Sequence, residues 1–419
     1  MKKLWVFFLV ILAGVGMSCA KKAGGKIELN FLEVMGSPSR TAEIKKIIAE
    51  YEGLHPDITI NLISPPYEQS DNRAAQALSA KEPLDIIEVR DFTASIHVTN
   101  SWVEDLTPYI DKWPGWNGLL ASVKDLAAAA GGKPYMIPQF IFVPALFVRT
   151  DVLAKLGETK MPSTIQELFA MAARITKPSE SQYGFSIRGK GNPFRQSDLM
   201  ILSNVNNVDT ASFYQLKDGT SVFDSPEFLA AFRAYVDLFK NAVPSDGVNW
   251  GFNEQITSFA SGITPFLMQD PDAVAVVDEH ISRDQYTVIP MPLGSSGAFY
   301  FEPGFTGLGI PPYSKYKDQA WDFITFMTAP ERNAAICKAY GALPVNSSTY
   351  EEDSYFSSGV YQAWAAVLAS PEKYVMVRYP YTNEKFPGWS QVQAQYLQST
   401  FLGQTTPEEA VKAWSDYWK

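Results

Sequence analysis

Cysteine and histidine are nearly missing from this chain: 419 residues hold 2 Cys and 3 His. His55, His97 and His280 are scattered and no Cys/His cluster exists, which argues against a zinc site or an activated thiol. A G-x-S-x-G elbow, an H-E-x-x-H helix and a phosphate-binding loop are also lacking, and "GKGNP" has glycines without phosphate-loop spacing. Two catalytic carboxylates could be drawn from 45 acidic residues by chance alone, so their presence proves no glycosidase. Basic residues are in deficit, 35 against 45, and the net charge of −10 repels phosphate backbones. Nucleic acid is therefore a poor partner. Low-complexity tracts, charge blocks and tandem repeats are absent. Hydrophobic residues at 46% against 19% charged describe a folded globular body.

What the chain does have begins at its start. Lys2 and Lys3 precede an apolar run from Leu4 to Val15, and Gly16, Met17 and Ser18 lead into Cys19. A positive start, a short apolar stretch and small residues describe an export signal. The run is shorter than the roughly 20 residues that span a bilayer, and no second membrane segment follows. Its other reading is a buried terminal helix or strand. A signal ending at cysteine resembles the lipobox of bacterial lipoproteins, although Gly16 stands where a leucine is usual. The resemblance implies a signal peptide over 1–18, acylation of Cys19 and a glycine-containing tether over 19–26. Acylation would leave Cys337 without a disulfide partner.

Beyond the tether, apolar spacing changes period. Ile27, Leu29 and Phe31 alternate as in a strand, and Ile44, Ile47, Ile48 and Tyr51 then recur at helical spacing. Ser37 and Pro38 start that helix; Gly53 and Pro56 stop it. "ITINLI", a helix over Gln69 to Ala80 and the strand "PLDIIEVRD" complete β-α-β-α-β, the pattern of a mostly parallel sheet. A second α/β region follows, opened by "MPSTIQEL" with a capping-box spacing of Ser163 and Gln166. Further helices are expected at Pro226–Asn241, Lys317–Thr328, Pro330–Tyr340 and Pro407–Trp418, with strands in "YTVIPMP" and "FTGLGIP".

Five landmarks occur in order: "GGKPYMIPQF" running into "ALFVRTDVLAKLG" and "MPSTIQEL", then "FASGITPFLMQDP", "GFTGLGIPPYSKYKDQAWDFITFMTAPE", "GALPVNSS" and "GQTTPEEAVKAW". Together they resemble the family 1 extracellular solute-binding proteins of bacterial ABC importers, the group that includes maltose-type sugar binders. The resemblance implies an α/β, two-lobed periplasmic-binding-protein fold of type II kind, with three hinge crossings and a ligand cleft between lobes. It places the first lobe at 27–142 and 293–342 and the second at 143–292 and 343–419. The crossings fall near Phe142–Leu146, Val288–Pro292 and Leu343–Asn346, each with proline, which suits extended strands. It further implies a monomer without cofactor or metal, lipid-anchored in the periplasm or at the cell surface. That protein would capture a mono- or oligosaccharide for membrane permease subunits.

A sugar site needs hydroxyl partners and exposed rings. Strand ends face the crevice in such lobes, which selects Glu33 and Asp91. Asp91 is the acid the family resemblance favours, with a helix cap as its other reading. Tyr67 stacks on the ligand or covers its loop. In the second lobe the candidates are Phe194 and Arg195, Gln269 and Asp270, and Trp250, which otherwise packs its own lobe. Phe305 and Thr306 sit on a return strand where Gly304 and Gly307 permit close approach. Arg378, Tyr379, Tyr381 and Trp389 follow near the C-terminus, Trp389 at the position of a family stacking residue. Pro144 occupies a crossing where maltose-type members often carry an acid, and Gln139 either compensates or caps its strand. A cation such as a polyamine would use the same residue types, so composition alone leaves that rival open. A receptor role with the same fold is open as well.

Overall fold

The computed structural model describes residues 26–419 apart from 129, 192 and 382. Residues 1–25, and with them Cys19 and most of the expected tether, lie outside the described residues.

Strand β1 (Ile27–Leu32) pairs in parallel with β2 (Ile58–Ile63) on one side and β3 (Ile86–Arg90) on the other. The connecting helix Pro38–Leu54 buries Ile44, Ile47, Ile48 and Tyr51, the stripe its period demands. The Ser37 hydroxyl accepts the Arg40 N–H at 3.3 Å and Pro38 occupies the first turn, while His55 closes the other end. The second helix, Tyr67–Ser79, begins two residues before the expected Gln69, directly after Pro66. β10 (Gly304–Gly309) runs antiparallel between β3 and β4 (Ile137–Phe142), giving the sheet order β2-β1-β3-β10-β4. Gly307 is required there, because a Cβ would stand 2.7 Å from the Met136 side chain.

A second sheet repeats the arrangement of one antiparallel strand among parallel ones. Its order is β6-β7-β5-β8, with β5 (Ala145–Val148) antiparallel to β7 (Phe266–Gln269) and β8 (Thr287–Ile289), and β6 (Phe185–Ser186) beside β7. A small parallel pair, β9 (Phe299–Phe301) with β11 (Tyr374–Met376), packs onto this lobe. The helix expected from Ser163 is capped one residue later: the Thr164 hydroxyl accepts from Glu167 N–H, and Glu167 reaches back to Ser163.

The chain passes between lobes three times. From β4 it crosses to β5 through Val143 and Pro144. It does not return at Val288–Pro292. Leu293 still bridges Thr164 and β9 still pairs with β11, so the return comes at Glu302–Pro303, between β9 and β10. Leu343–Asn346 also differs from expectation: Leu343 bridges Ile141 and Asn346 bridges Leu119, both in the first lobe. The last passage runs beyond Ser347 to the helix Gln362–Leu368, whose Trp364 indole donates to Val143 O at 2.7 Å. Helical and strand periods were readable at these points, but which sheet a short extended segment joins depends on partners far away in sequence.

Candidate functional site: the interlobe cleft

The strand ends of both lobes open on a common cleft. Helix Asp91–Thr99 forms one wall; helices Pro193–Leu202 and Phe386–Phe401 and the loop after β7 form the other. One compartment, of about 660 Å³, lies between Tyr67, Phe92 and Ile96 of the first lobe and Arg188, Phe194, Arg195, Gln269, Asp270 and Phe386 of the second. A second compartment, of about 630 Å³, lies between Asp91, Ser95 and Asp125 and the stretches Thr210–Ser212 and Met376–Tyr379. Glu302 and Tyr381 border both, and Pro144 of the first crossing borders the larger. Each volume falls within the roughly 300–1,000 Å³ usual for small-molecule sites.

Within the larger compartment the first lobe presents large apolar side chains to the cleft. Tyr67, Phe92 and Ile96 are 45%, 44% and 58% exposed, unusual for side chains of this kind. The Arg90 guanidinium lies 5.2 Å from the Tyr67 ring centre and 4.5 Å from that of Phe92. It also donates to the Tyr67 hydroxyl at 3.1 Å and pairs with Asp71 at 3.0 Å. Two partly exposed rings are thereby held at the cleft, the cation drawn to their electron-rich sides.

Charge gathers opposite them. Glu302 Oε2 accepts from the Tyr381 hydroxyl at 2.6 Å and Oε1 from Tyr379 N–H at 3.2 Å. Arg195 donates to Glu302 O at 3.2 Å and stands 3.9 Å from its carboxylate. Burial pushes the Glu302 carboxyl up to about 7, with Arg195 and the Tyr381 hydrogen bond working against that rise. Burial likewise raises Asp91 and Asp270, each opposed by Arg195. Burial lowers Arg188, which donates to Gln255 Oε1 at 2.9 Å and to Gly191 O at 3.2 Å. The result is an array of carboxylates and guanidinia, several with hydrogen-bonding capacity left for a ligand.

Ten of the candidates read from sequence line these compartments: Tyr67, Asp91, Phe194, Arg195, Gln269, Asp270, Phe305, Arg378, Tyr379 and Tyr381. Five do not, and each is engaged elsewhere. Glu33 is fully buried and pairs with Arg40 at 2.8 Å while accepting from Thr41 and Ser64. Gln139 is fully buried on β4 and donates to Thr328 Oγ1 at 2.8 Å, so it does not stand in for the acid absent at Pro144. Trp250 packs its own lobe and donates to Asp246 at 3.1 Å. Thr306 is buried in β10 between Arg90 and Phe140. Trp389 is wholly buried among Tyr214, Phe223 and Trp414, with no face for a ligand.

Sequence reasoning passed over Arg90, Phe92, Ile96, Arg188, Glu302 and Phe386 as site residues. Arg90 and Phe92 flank Asp91 at the same strand end and carried the same signal. Glu302, an acid directly before Pro303, would have been found had the second crossing been placed there. Among the described residues no three His, Cys, Asp or Glu side chains are grouped to hold a metal ion. Cys337 is buried, its sulfur 3.7 Å from Gln139 O, and burial raises its thiol. No helix among the described residues is long and apolar enough to cross a membrane.

Residues 37–334 match the model of the bacterial extracellular solute-binding protein family. A putative ABC transporter periplasmic-binding protein of Escherichia coli (strain K12) is 25% identical over 375 residues, 84% of this chain and 83% of the relative. The mannitol-binding protein of Pseudomonas aeruginosa is 23% identical, covering 74% of this chain and 72% of its own length. The maltose-bound MalE3 protein of T. maritima superposes with a TM-score of 0.76 at 23% identity, over 93% of this chain and 98% of that structure. At that identity the superposition speaks for the fold.

Proposed function

The chain belongs to the bacterial extracellular solute-binding proteins, and we propose that it captures a carbohydrate or polyol in the interlobe cleft and hands it to the membrane subunits of an ABC importer. The observation that carries this reading is a single cleft lined by exposed rings and by charged side chains together. Exposed faces of Tyr67 and Phe92 suit the C–H surface of a sugar ring, while Asp91, Asp270, Arg188 and Arg195 suit its hydroxyls. The mannitol-binding relative and the maltose-bound structural neighbour support the same class of ligand. A polyamine would meet the guanidinia of Arg90 on one wall and of Arg188 and Arg195 on the other, and like charge counts against it.

Binding involves no bond breaking in this reading. A ligand touching both walls stabilises the closed arrangement by its differential affinity, and the three chain passages act as the hinge. The lysine-led apolar run ahead of Cys19 supports export and acylation there, which would hold a monomeric mature protein at the outer face of a membrane beside its permease. A thermal-shift screen of residues 26–419 against sugars, hexitols, amino acids and polyamines tests the ligand class. A ligand at about 100 times its Kd adds roughly 2.7 kcal/mol. A rise in Tm with a sugar or hexitol is expected; a rise confined to polyamines or amino acids would contradict the reading.

A further inference from the structure

The helix Asp91–Thr99 serves both compartments at once. Phe92 and Ile96, four residues apart, line the larger one, while Asp91 and Ser95, also four apart, line the other. Two adjacent stripes of one helix in the cleft wall thus line two compartments. Glu302 and Tyr381 border both compartments as well. Arg195 joins them from the second lobe, close enough to Asp91 for its charge to oppose the rise in that carboxyl. Glu302 and Tyr381 therefore stand on the border the two volumes share, with Arg195 on the side of the larger and Asp91 on the side of the other.

The two compartments share one chemistry, rings beside charged groups. The larger has Tyr67, Phe92 and Phe386 with Arg188 and Asp270. The other has Phe305 and Tyr379 with Asp125 and Arg378, and Arg378 reaches across the lobes to Asp125 O at 3.5 Å. A single hexose or hexitol can occupy only one compartment and leaves the other wall's polar groups to water. A chain of sugar units offers the same hydroxyl and C–H chemistry repeatedly and fills both.

Resting on the carbohydrate reading, we infer that the ligand is an oligosaccharide of at least two rings, laid across both compartments so that Glu302 and Tyr381 face the linkage between units. One ring lies against Phe92 in the larger compartment and the next lies between Ser95 and Ser212 in the other. Glu302 is also the last residue before the return crossing at Pro303, so the gripped linkage sits on the hinge itself.

Calorimetric titration of residues 26–419 with monosaccharides, hexitols and α- and β-linked di- to tetrasaccharides tests this. The best ligand should be a di- or longer saccharide binding at least tenfold tighter than its own monosaccharide unit, a step of about 1.4 kcal/mol. Ala211→Trp, which plugs the smaller compartment from an exposed loop, should remove that step. Ser95→Phe, from the opposite wall, repeats the test should Ala211→Trp lower the melting temperature. A hexose or hexitol binding as tightly as any longer saccharide would overturn the inference and leave the carbohydrate reading standing. Plugged variants that keep the full step would overturn it in the same way. Heat from none of these compounds would overturn both.

Discussion

The Trp389 indole donates to the Tyr214 hydroxyl at 2.6 Å, and that hydroxyl in turn donates to Asp198 at 2.7 Å. Helices carrying cleft residues are tied together behind the cleft by this chain, since Phe386 lies on the helix of Trp389 and Arg195 on the helix of Asp198. Trp389→Ala should therefore act on stability, by about 3–5 kcal/mol as for other buried aromatic truncations. Thermal unfolding followed by circular dichroism measures it. A variant as stable as wild type but unable to bind ligand would show that Trp389 is a stacking residue after all.

Asp198 sets a pH dependence of known sign. Burial pushes its carboxyl up to about 8, against the pull of the Tyr214 hydrogen bond, and Gln393 donates to it at 2.7 Å. The folded state thus holds a proton that the unfolded state releases near pH 4, so stability declines as pH rises from about 4 to 8. Glu302 and Asp272, both raised to about 7, add slopes of the same sign. Asp198→Asn should flatten the decline and exceed wild type in stability at pH 8, by an amount on the order of a few kcal/mol. Denaturant unfolding at pH 5 and pH 8 checks this; parallel pH profiles for the two proteins would count against it.

Phe92 is exposed, so its removal should cost the unliganded protein almost nothing. Phe92→Ala should leave the ligand-free Tm within about 2 °C, as for surface changes generally. Affinity should fall by about 1 kcal/mol, or roughly fivefold, through loss of the ring face. Equal affinities in a titration would remove Phe92 from the site.

Gly341 ends the first-lobe helix Pro330–Tyr340 with φ +74°, and a Cβ there would stand 2.9 Å from Asp272 Cα in the second lobe. Left-handed backbone and close interlobe approach both require glycine. Gly341→Ala should lose about 1 kcal/mol or more of stability and hold the lobes apart. Small-angle X-ray scattering should report a larger radius of gyration for the ligand-free variant. An unchanged radius would mean that the lobes do not rely on this contact.

Much of this architecture was legible in apolar spacing. The β-α-β-α-β opening and the helices Lys317–Thr328, Pro330–Tyr340 and Pro407–Trp418 follow from period, caps and prolines that lie within each segment. The cleft was legible only where a residue follows a strand end, as Asp91 does. Trp389 and Trp250 misled because a tryptophan looks the same in sequence whether its ring meets a ligand or Trp414. Glu33 misled because the Arg40 that buries it lies seven residues on, across a turn. Glu302 stayed hidden for a topological reason: β9 belongs to the second lobe through its pairing with β11, more than 70 residues away in the chain.

Glu302 also offers the most direct test that ligand is held between the lobes at the hinge. Titrate the saccharide or hexitol giving the largest thermal shift into wild type, Glu302→Gln and Arg195→Met at pH 7.5, with Trp250→Phe as a control within the second lobe. One-to-one binding by wild type and the control, weakened at least tenfold in both cleft variants while their folded spectra persist, is the predicted result. Equal affinities in all four proteins would contradict a ligand gripped in this cleft.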